Sequence, residues 1–111
     1  MLVGRSSPFG GGTRTRVLLA LRLLSESYPR ELARVLETSL YGVQQALEGL
    51  EVDGLVSGRN AGRTRLFRLN PRYFAVEELQ RFLLRLAEPE LELKQQINSL
   101  RRRPRRTGKP L

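Results

Sequence analysis

The chain has 111 residues and a formal net charge of +9, with 20 lysine and arginine residues against 11 aspartate and glutamate residues. Its length and its hydrophobic fraction of 40% are enough for one small domain with a modest core. Cysteine and histidine are both absent, which excludes disulfides, thiolate or imidazole metal sites and catalytic triads built on histidine. The longest apolar run, residues 17–21, is far shorter than the roughly 20 residues that a membrane helix needs. Because residues 1–12 also lack the apolar segment of a secretory signal, we expect a soluble cytoplasmic protein.

The positive charge is concentrated in two segments of the chain. Residues 55–72 hold five basic and no acidic residues, and residues 101–111 hold six basic and no acidic residues. Residues 37–54, by contrast, hold four acidic and no basic residues. Of the 20 basic residues 18 are arginine, whose planar guanidinium suits phosphate. Nucleic acid is therefore the leading candidate partner, ahead of an anionic membrane surface.

Two helices are predicted near the amino terminus. Three glycines after Ser-Ser-Pro predict a flexible lead over residues 1–12, and Thr13 is a suitable cap for a helix over residues 13–26. Pro29 fits the first turn of a short second helix, over residues 30–37, because proline is tolerated where backbone donors are unpaired.

A third helix is predicted to follow after only two or three residues. Thr38 or Ser39 can cap it, and Asp53-Gly54 supplies a left-handed stop. The apolar residues that recur at helical spacing are Leu40, Val43, Leu47 and Leu50. With these turned inward, the outward residues are Ser39, Tyr41, Gln44, Gln45 and Glu48.

A β-hairpin with a basic tip is predicted next. Residues 55–57 and 64–69 have the composition of strands, and a glycine-bounded loop over residues 58–62 joins them. Phe67 and Leu69 share the face expected to be core, so that strand alternation points Arg68 to the other side.

Three helices followed by a hairpin, with a tight connection between the second and third helices, is the order of a winged helix-turn-helix. Four segments of the sequence are the most characteristic of this arrangement. They are residues 30–33 (Arg-Glu-Leu-Ala), 39–47, 50–56 (Leu-Glu-Val-Asp-Gly-Leu-Val) and 62–71, which begins with Gly-Arg. Over residues 9–87 the chain resembles the winged-helix transcriptional regulators of the ArsR and MarR type. The resemblance implies a prokaryotic transcription factor, usually dimeric, that reads DNA with its third helix. Metal-sensing members use cysteine or histidine ligands and this chain has neither, so no metal site and no cofactor are expected.

Candidate DNA-binding residues lie on the third helix and on the hairpin. Glutamine can bond adenine through two hydrogen bonds, while serine and tyrosine hydroxyls can reach phosphates or base edges. The hairpin arginines can enter a narrow minor groove or clamp phosphates. The predicted residues are Ser39, Tyr41, Gln44, Gln45, Arg59, Asn60, Arg63 and Arg65. The third helix lacks any basic residue between positions 39 and 54, so phosphate contact is assigned to the hairpin.

Apolar residues at heptad spacing continue toward the carboxyl terminus. Pro89 is expected to split this stretch into helices over residues 74–87 and 89–103. We interpret the heptad residues as a homodimer interface, with Phe74 and Phe82 in the core of the chain itself. The interface residues are Val76, Leu79, Leu83, Leu86, Leu93, Ile97 and Leu100. An alternative is that the first of these helices folds back on its own core.

The predicted fold is mainly α with a small β-hairpin, a three-helix core plus wing over residues 13–73 followed by carboxy-terminal helices over residues 74–103. Residues 104–111 form a basic tail expected to be disordered. The predicted function is a dimeric, sequence-specific regulator that binds double-stranded DNA, with no enzyme activity and no membrane partner. A small-molecule effector is left unassigned. The competing hypothesis is a winged-helix adaptor that binds RNA or a protein without reading DNA sequence.

Overall fold

The computed structural model describes residues 8–102 and contains five helices and one antiparallel hairpin in that range. The elements in chain order are α1 (Gly12–Leu24), α2 (Pro29–Leu36), α3 (Leu40–Val52), β1 (Val56–Ala61), β2 (Thr64–Leu69), α4 (Val76–Ala87) and α5 (Leu91–Arg102). The predicted fold, three helices and a wing followed by carboxy-terminal helices, is confirmed. The predictions for residues 1–7, and that of a disordered tail at 104–111, lie outside the described residues.

Helix α1 is the central element of the core. Residues 17–21 are all buried, although they point to every side of the helix. A helix that is buried all round must have neighbours on every side, and α1 packs against α2, α3, α4 and β2. The helix begins one residue before the predicted Thr13 cap, with Gly11 at the cap position and no side-chain cap hydrogen bond. It also ends earlier than predicted, at Leu24, where Ser25 turns to a positive φ of 76°.

Local signals set the boundaries of α2 and α3. Pro29 occupies the first turn of α2, and Glu37 ends that helix in the left-handed conformation at φ 53°. Ser39 caps α3, because its Oγ accepts a hydrogen bond from the Gly42 amide at 3.0 Å. Gly54, at φ 82°, follows the end of α3 as predicted. Only residues 37–39 separate the two helices, as a helix-turn-helix requires.

The hairpin is longer and its turn is tighter than the sequence predicted. Strand β1 continues through the predicted loop to Ala61, which pairs with Thr64, so only Gly62 and Arg63 form the turn. Gly62 has φ 67°, which suits the first central position of a type II′ turn. The base of the hairpin is fixed to the helices, because Ser27 and Phe67 exchange two backbone hydrogen bonds of 3.0 and 2.8 Å.

The carboxy-terminal helices share the core of the three-helix unit. Pro89 lies between α4 and α5 as predicted, since α4 ends at Ala87 and α5 begins at Leu91. Leu79 and Leu83 of α4 are buried, and so are Leu93 and Ile97 of α5. The α4 side chains pack on α1, and α5 packs on α2 and α1.

This packing puts most of the predicted dimer-interface residues in contact with the core of the single chain, and it corrects the predicted burial of two phenylalanines. Within the single chain Leu79, Leu83, Leu93 and Ile97 are buried, Leu86 and Leu100 are partly buried against the same core, and Val76 is half-buried. Four of the seven heptad residues are therefore core contacts rather than an exposed seam. Phe74 and Phe82, which we had assigned to the core, are 92% and 44% exposed. Apolar residues at i and i+4 occur both in the heptads of a coiled coil and in an ordinary amphipathic helix. The spacing therefore could not decide whether these residues pack on a second chain or on the core of their own chain.

Candidate nucleic-acid interface

Helix α3 separates its buried and exposed faces as the apolar spacing predicted. Val43, Leu47 and Leu50 are buried, and Leu40 is half-buried. The predicted outward residues Ser39, Tyr41, Gln44, Gln45 and Glu48 are all exposed. Tyr41 is 71% exposed, which is unusual for an aromatic side chain that serves only packing.

The wing lies beside this exposed face and forms a groove with it. The groove has a volume of about 490 Å³ and is open to solvent. It is lined by Pro29, Gln44, Gln45, Leu47, Glu48, Glu51, Arg63, Thr64, Arg65 and Phe67. The structure thus brings two predicted α3 residues, Gln44 and Gln45, and two predicted wing residues, Arg63 and Arg65, to one surface.

The predicted wing arginines are exposed but differ in their partners. Arg65 donates to both carboxylate oxygens of Glu51 on α3, at 3.3 and 3.0 Å, and lies 5.0 Å from the centroid of the Phe67 ring. Arg59 donates to Glu26, in the segment between α1 and α2, at 3.2 Å. The side chain of Arg63 makes no hydrogen bond or ion pair among residues 8–102. Arg63 is therefore the predicted wing arginine that is available without breaking an existing contact.

Two other predicted residues have specific surroundings. Asn60 is exposed on β1 and pairs across the hairpin with Arg65. The Ser39 hydroxyl accepts the capping hydrogen bond from Gly42, but a hydroxyl has one donor hydrogen and a second acceptor lone pair. Ser39 can therefore cap α3 and still donate to a phosphate oxygen.

Sequence reasoning missed the two carboxylates that hold the wing. Glu26 and Arg59 are 33 residues apart, and Glu51 and Arg65 are 14 apart, so neither pair has a helical or strand spacing that would identify it. A third ion pair joins Arg14 at the start of α1 to Asp53 at the end of α3. The first pair joins the wing to the segment between α1 and α2, the second joins it to α3, and the third joins α1 to the end of α3.

Gly58 permits the close approach of Arg65 and Phe67 to β1. A Cβ atom added at Gly58 would lie 2.7 Å from Arg65 Nη2 and 2.8 Å from a ring carbon of Phe67. Both distances are shorter than van der Waals contact, so a larger residue cannot fit without displacement. Gly58, predicted to lie in a loop, is part of β1 and makes room for the arginine that joins the wing to α3.

Two absences hold for the part of the chain that the structure describes. No helix there is long and apolar enough to cross a membrane. No group of three or more histidine, cysteine, aspartate or glutamate side chains is placed there to hold a metal ion.

Solved structures with a similar fold are bacterial proteins. The adhesin competence repressor AdcR from Streptococcus pyogenes matches with a TM-score of 0.58 at 17% identity, covering 78% of this chain and 64% of its own. A double mutant of ZitR from Lactococcus lactis in its apo form has a TM-score of 0.58 at 23% identity, covering 78% of this chain and 65% of its own. A single mutant of ZitR has a TM-score of 0.53 at 21% identity, with coverages of 90% and 80%.

The chain spans just under two thirds of the length of the first two of these proteins. No protein-family model matches the sequence, and no curated protein is significantly similar to it. At these identities the likeness concerns the fold, and membership of a particular regulator family stays a prediction. Together with the hairpin beside α3, the comparison establishes that the chain has the winged helix-turn-helix fold.

Proposed function

We propose that this protein is a transcriptional regulator that binds double-stranded DNA in a sequence-specific manner. Helix α3 enters the major groove, and the wing contacts the phosphate backbone or the adjacent minor groove. The observation that carries the proposal is the groove in which the exposed glutamines of α3 face the arginines of the wing. Amide groups suit base edges and guanidinium groups suit phosphates, so the two walls match the two kinds of surface that a duplex presents.

The chemistry of the wing supports backbone contact. Arg63 occupies the two-residue turn, where its side chain is exposed and has no partner within residues 8–102. An arginine at a tight hairpin turn can reach a phosphate without moving the strands behind it. The name of AdcR describes that protein as a repressor, which supports a role in transcriptional regulation for the same fold here.

We further propose that the protein acts as a homodimer, because two-fold symmetric proteins match palindromic operators. Four of the seven predicted interface residues, Leu79, Leu83, Leu93 and Ile97, are buried in the single chain, which favours an interface that uses exposed apolar residues. The carboxy-terminal region still exposes large apolar side chains, namely Phe74, Phe82, Leu84 and Leu91. Leu84→Glu combined with Leu91→Glu tests this surface by sedimentation, and an unchanged dimer would exclude these two residues from the interface.

The test of DNA binding is a salt titration with the full chain and a duplex selected from random sequences. We expect log affinity to fall steeply with log salt concentration, because bound arginines release counterions from the duplex. Arg59→Ala with Arg63→Ala should weaken binding to all duplexes, whereas Gln44→Ala with Gln45→Ala should change the preferred sequence. Arg81→Ala with Arg85→Ala is a suitable control, since it removes the same two charges from α4, away from the wing. A protein that binds all duplexes equally would contradict sequence-specific regulation.

A second candidate function is a winged-helix adaptor that binds RNA or a protein. The observation in its favour is the acidity of α3, which exposes Glu48 and has no basic residue, while Glu51 occupies Arg65. The adaptor predicts that glutamine substitutions on α3 leave duplex binding unaltered. It also predicts that removal of residues 101–111 abolishes duplex affinity while wing substitutions do not.

A further inference from the structure

The exposed residues of α3 form one continuous stripe. Tyr41, Gln44, Gln45 and Glu48 stand at positions i, i+3, i+4 and i+7, and all four are exposed. This spacing places them on one face of the helix over about 10 Å of its axis. Because successive base pairs are about 3.4 Å apart along a duplex, the stripe matches about three base pairs. The four side chains of the stripe are therefore spread over about three neighbouring base pairs of a bound duplex.

Glu48 is the charged member of this stripe and its carboxylate is available. It lines the groove between α3 and the wing, and it makes no hydrogen bond or ion pair among residues 8–102. Glu51, one turn further along α3, is different because both of its oxygens accept hydrogen bonds from Arg65. The structure thus neutralises one carboxylate of α3 and leaves the other facing the groove.

An unpaired carboxylate is costly at a polyanion unless a hydrogen-bond donor meets it. In the major groove guanine presents the acceptors N7 and O6, and thymine presents the acceptor O4. Adenine presents an amino group beside the acceptor N7, which repels the second carboxylate oxygen. Cytosine presents its N4 amino group with no acceptor on its own major-groove edge, and the nearest acceptor is O6 of the paired guanine on one side only. Cytosine is therefore the base that a carboxylate accepts best.

Resting on the proposed function, we infer that Glu48 selects cytosine at one position of the DNA strand that α3 contacts. Gln44 and Gln45, one turn earlier, face bases for which adenine is the natural partner. Helix α3 has no arginine or lysine between residues 39 and 54 to bond the O6 and N7 of guanine. The bound strand thus contains adenine followed or preceded by cytosine, and lacks a guanine read by α3. Duplexes without this cytosine bind with lower affinity because they leave the Glu48 carboxylate without a hydrogen-bond donor.

The experiment is selection from random duplexes with the full chain and with two variants. Glu48→Gln preserves the shape of the side chain but replaces the carboxylate by an amide that pairs with adenine. We expect the wild-type protein to prefer cytosine at one position by about tenfold, and the variant to prefer adenine there. Glu92→Gln is the matched control, since it removes an exposed carboxylate from α5 and should leave the selected sequence unchanged. Thermal unfolding of each variant checks that the fold is retained.

Two results separate this inference from the proposed function. If Glu48→Gln raises the affinity for every duplex by the same factor and keeps the base preference, Glu48 acts only through its charge. The inference is then overturned while the regulator function stands. If the wild-type protein selects no sequence at all, the proposed function itself fails and the inference fails with it. A selected site whose cytosine persists in the glutamine variant also overturns the inference.

Discussion

Helix α3 and the wing lie on two sides of one groove but have opposite electrostatic character. Residues 37–54, which include α3, have four acidic and no basic residues, whereas residues 55–72, which include the wing, have five basic and no acidic residues. Affinity for a polyanion comes largely from basic residues, and sequence preference comes from groups that face base edges. Under the proposed function, we therefore expect affinity to depend on the wing and sequence preference on α3, so that each can be changed without the other.

A second contrast lies within the wing itself. Arg59 and Arg65 are each paired with a carboxylate of the same chain, and Arg63 at the turn is unpaired within the described residues. The paired arginines join the wing to neighbouring elements, whereas Arg63 at the turn, like Arg68 on β2, makes no hydrogen bond or ion pair within the described residues. The number of arginines therefore overestimates the number of phosphate contacts that the wing can make.

The largest expected effect concerns the inner face of α3. Leu47 is 2% exposed, so Leu47→Ala should lower the free energy of unfolding by about 2–5 kcal/mol through lost packing. Gln44→Ala on the outer face should change it by less than about 0.5 kcal/mol. Urea denaturation measures both values. A destabilisation by Gln44→Ala as large as that by Leu47→Ala would contradict the division of α3 into a packing face and a reading face.

Removal of Arg63, the arginine at the hairpin turn, should affect duplex binding more than the stability of the fold. A hydrogen bond to a charged group is worth about 1.5–3 kcal/mol, so Arg63→Ala should weaken duplex affinity by roughly tenfold or more. The salt dependence should fall by about one unit of slope, equally for all duplexes. Fluorescence anisotropy at several salt concentrations checks this, with Arg81→Ala on α4 as the control. An equal loss from both substitutions would mean that only net charge matters.

The close approach at Gly58 can be tested by adding a single methyl group. Gly58→Ala should destabilise the protein by about 1–3 kcal/mol, because its Cβ would overlap the Phe67 ring and displace Arg65. Gly11→Ala adds the same methyl group where the space around its Cβ is open and φ is −111°, so it should cost less than Gly58→Ala, losing only the preference for glycine over alanine at the N-cap of α1. Thermal or urea unfolding distinguishes the two. A neutral Gly58→Ala would show that the wing adapts freely to α3.

The smallest expected effect comes from freeing Arg59. Glu26→Gln removes an exposed ion pair of a kind worth about 0.2–1 kcal/mol, so duplex affinity should rise by at most about fivefold. The rise should be greatest at low salt. Glu78→Gln is the matched control, because it releases Arg81 on α4 without touching the wing. Equal gains in the two variants would attribute the effect to net charge alone.

The features that the sequence predicted well depend on local residues. Ser39 as a cap, the Asp53-Gly54 stop and the break at Pro89 each follow from backbone constraints of one or two residues, and the structure has them where expected. The exposure of Tyr41 and Gln45 likewise follows from the positions of their apolar neighbours on α3. These predictions need no knowledge of what lies across the molecule.

The features that the sequence did not predict depend on distant residues. Phe74 and Phe82 are as apolar as Leu79 and Leu83, and only the position of α1 decides which of them are buried. Gly58 resembled a loop residue because nothing in its neighbourhood showed that Arg65 would cross it. The partners of Arg59 and Arg65 come from other elements, so hydropathy and spacing could not identify them.

The two backbone hydrogen bonds between Ser27 and Phe67 attach the base of the hairpin to the helical part of the molecule, and the turn at Gly62 and Arg63 projects away from this attachment. The amides of these two residues should exchange with solvent more slowly than those near Gly62, because opening them requires the base of the hairpin to leave the helices. Arg63 lies in the turn, beyond both this attachment and the exposed contact of Arg65 with Glu51, where small rotations of the strands produce the largest displacement. The width of a minor groove varies with base sequence. Under the proposed function, we expect Arg63 to follow that variation while α3 keeps its position.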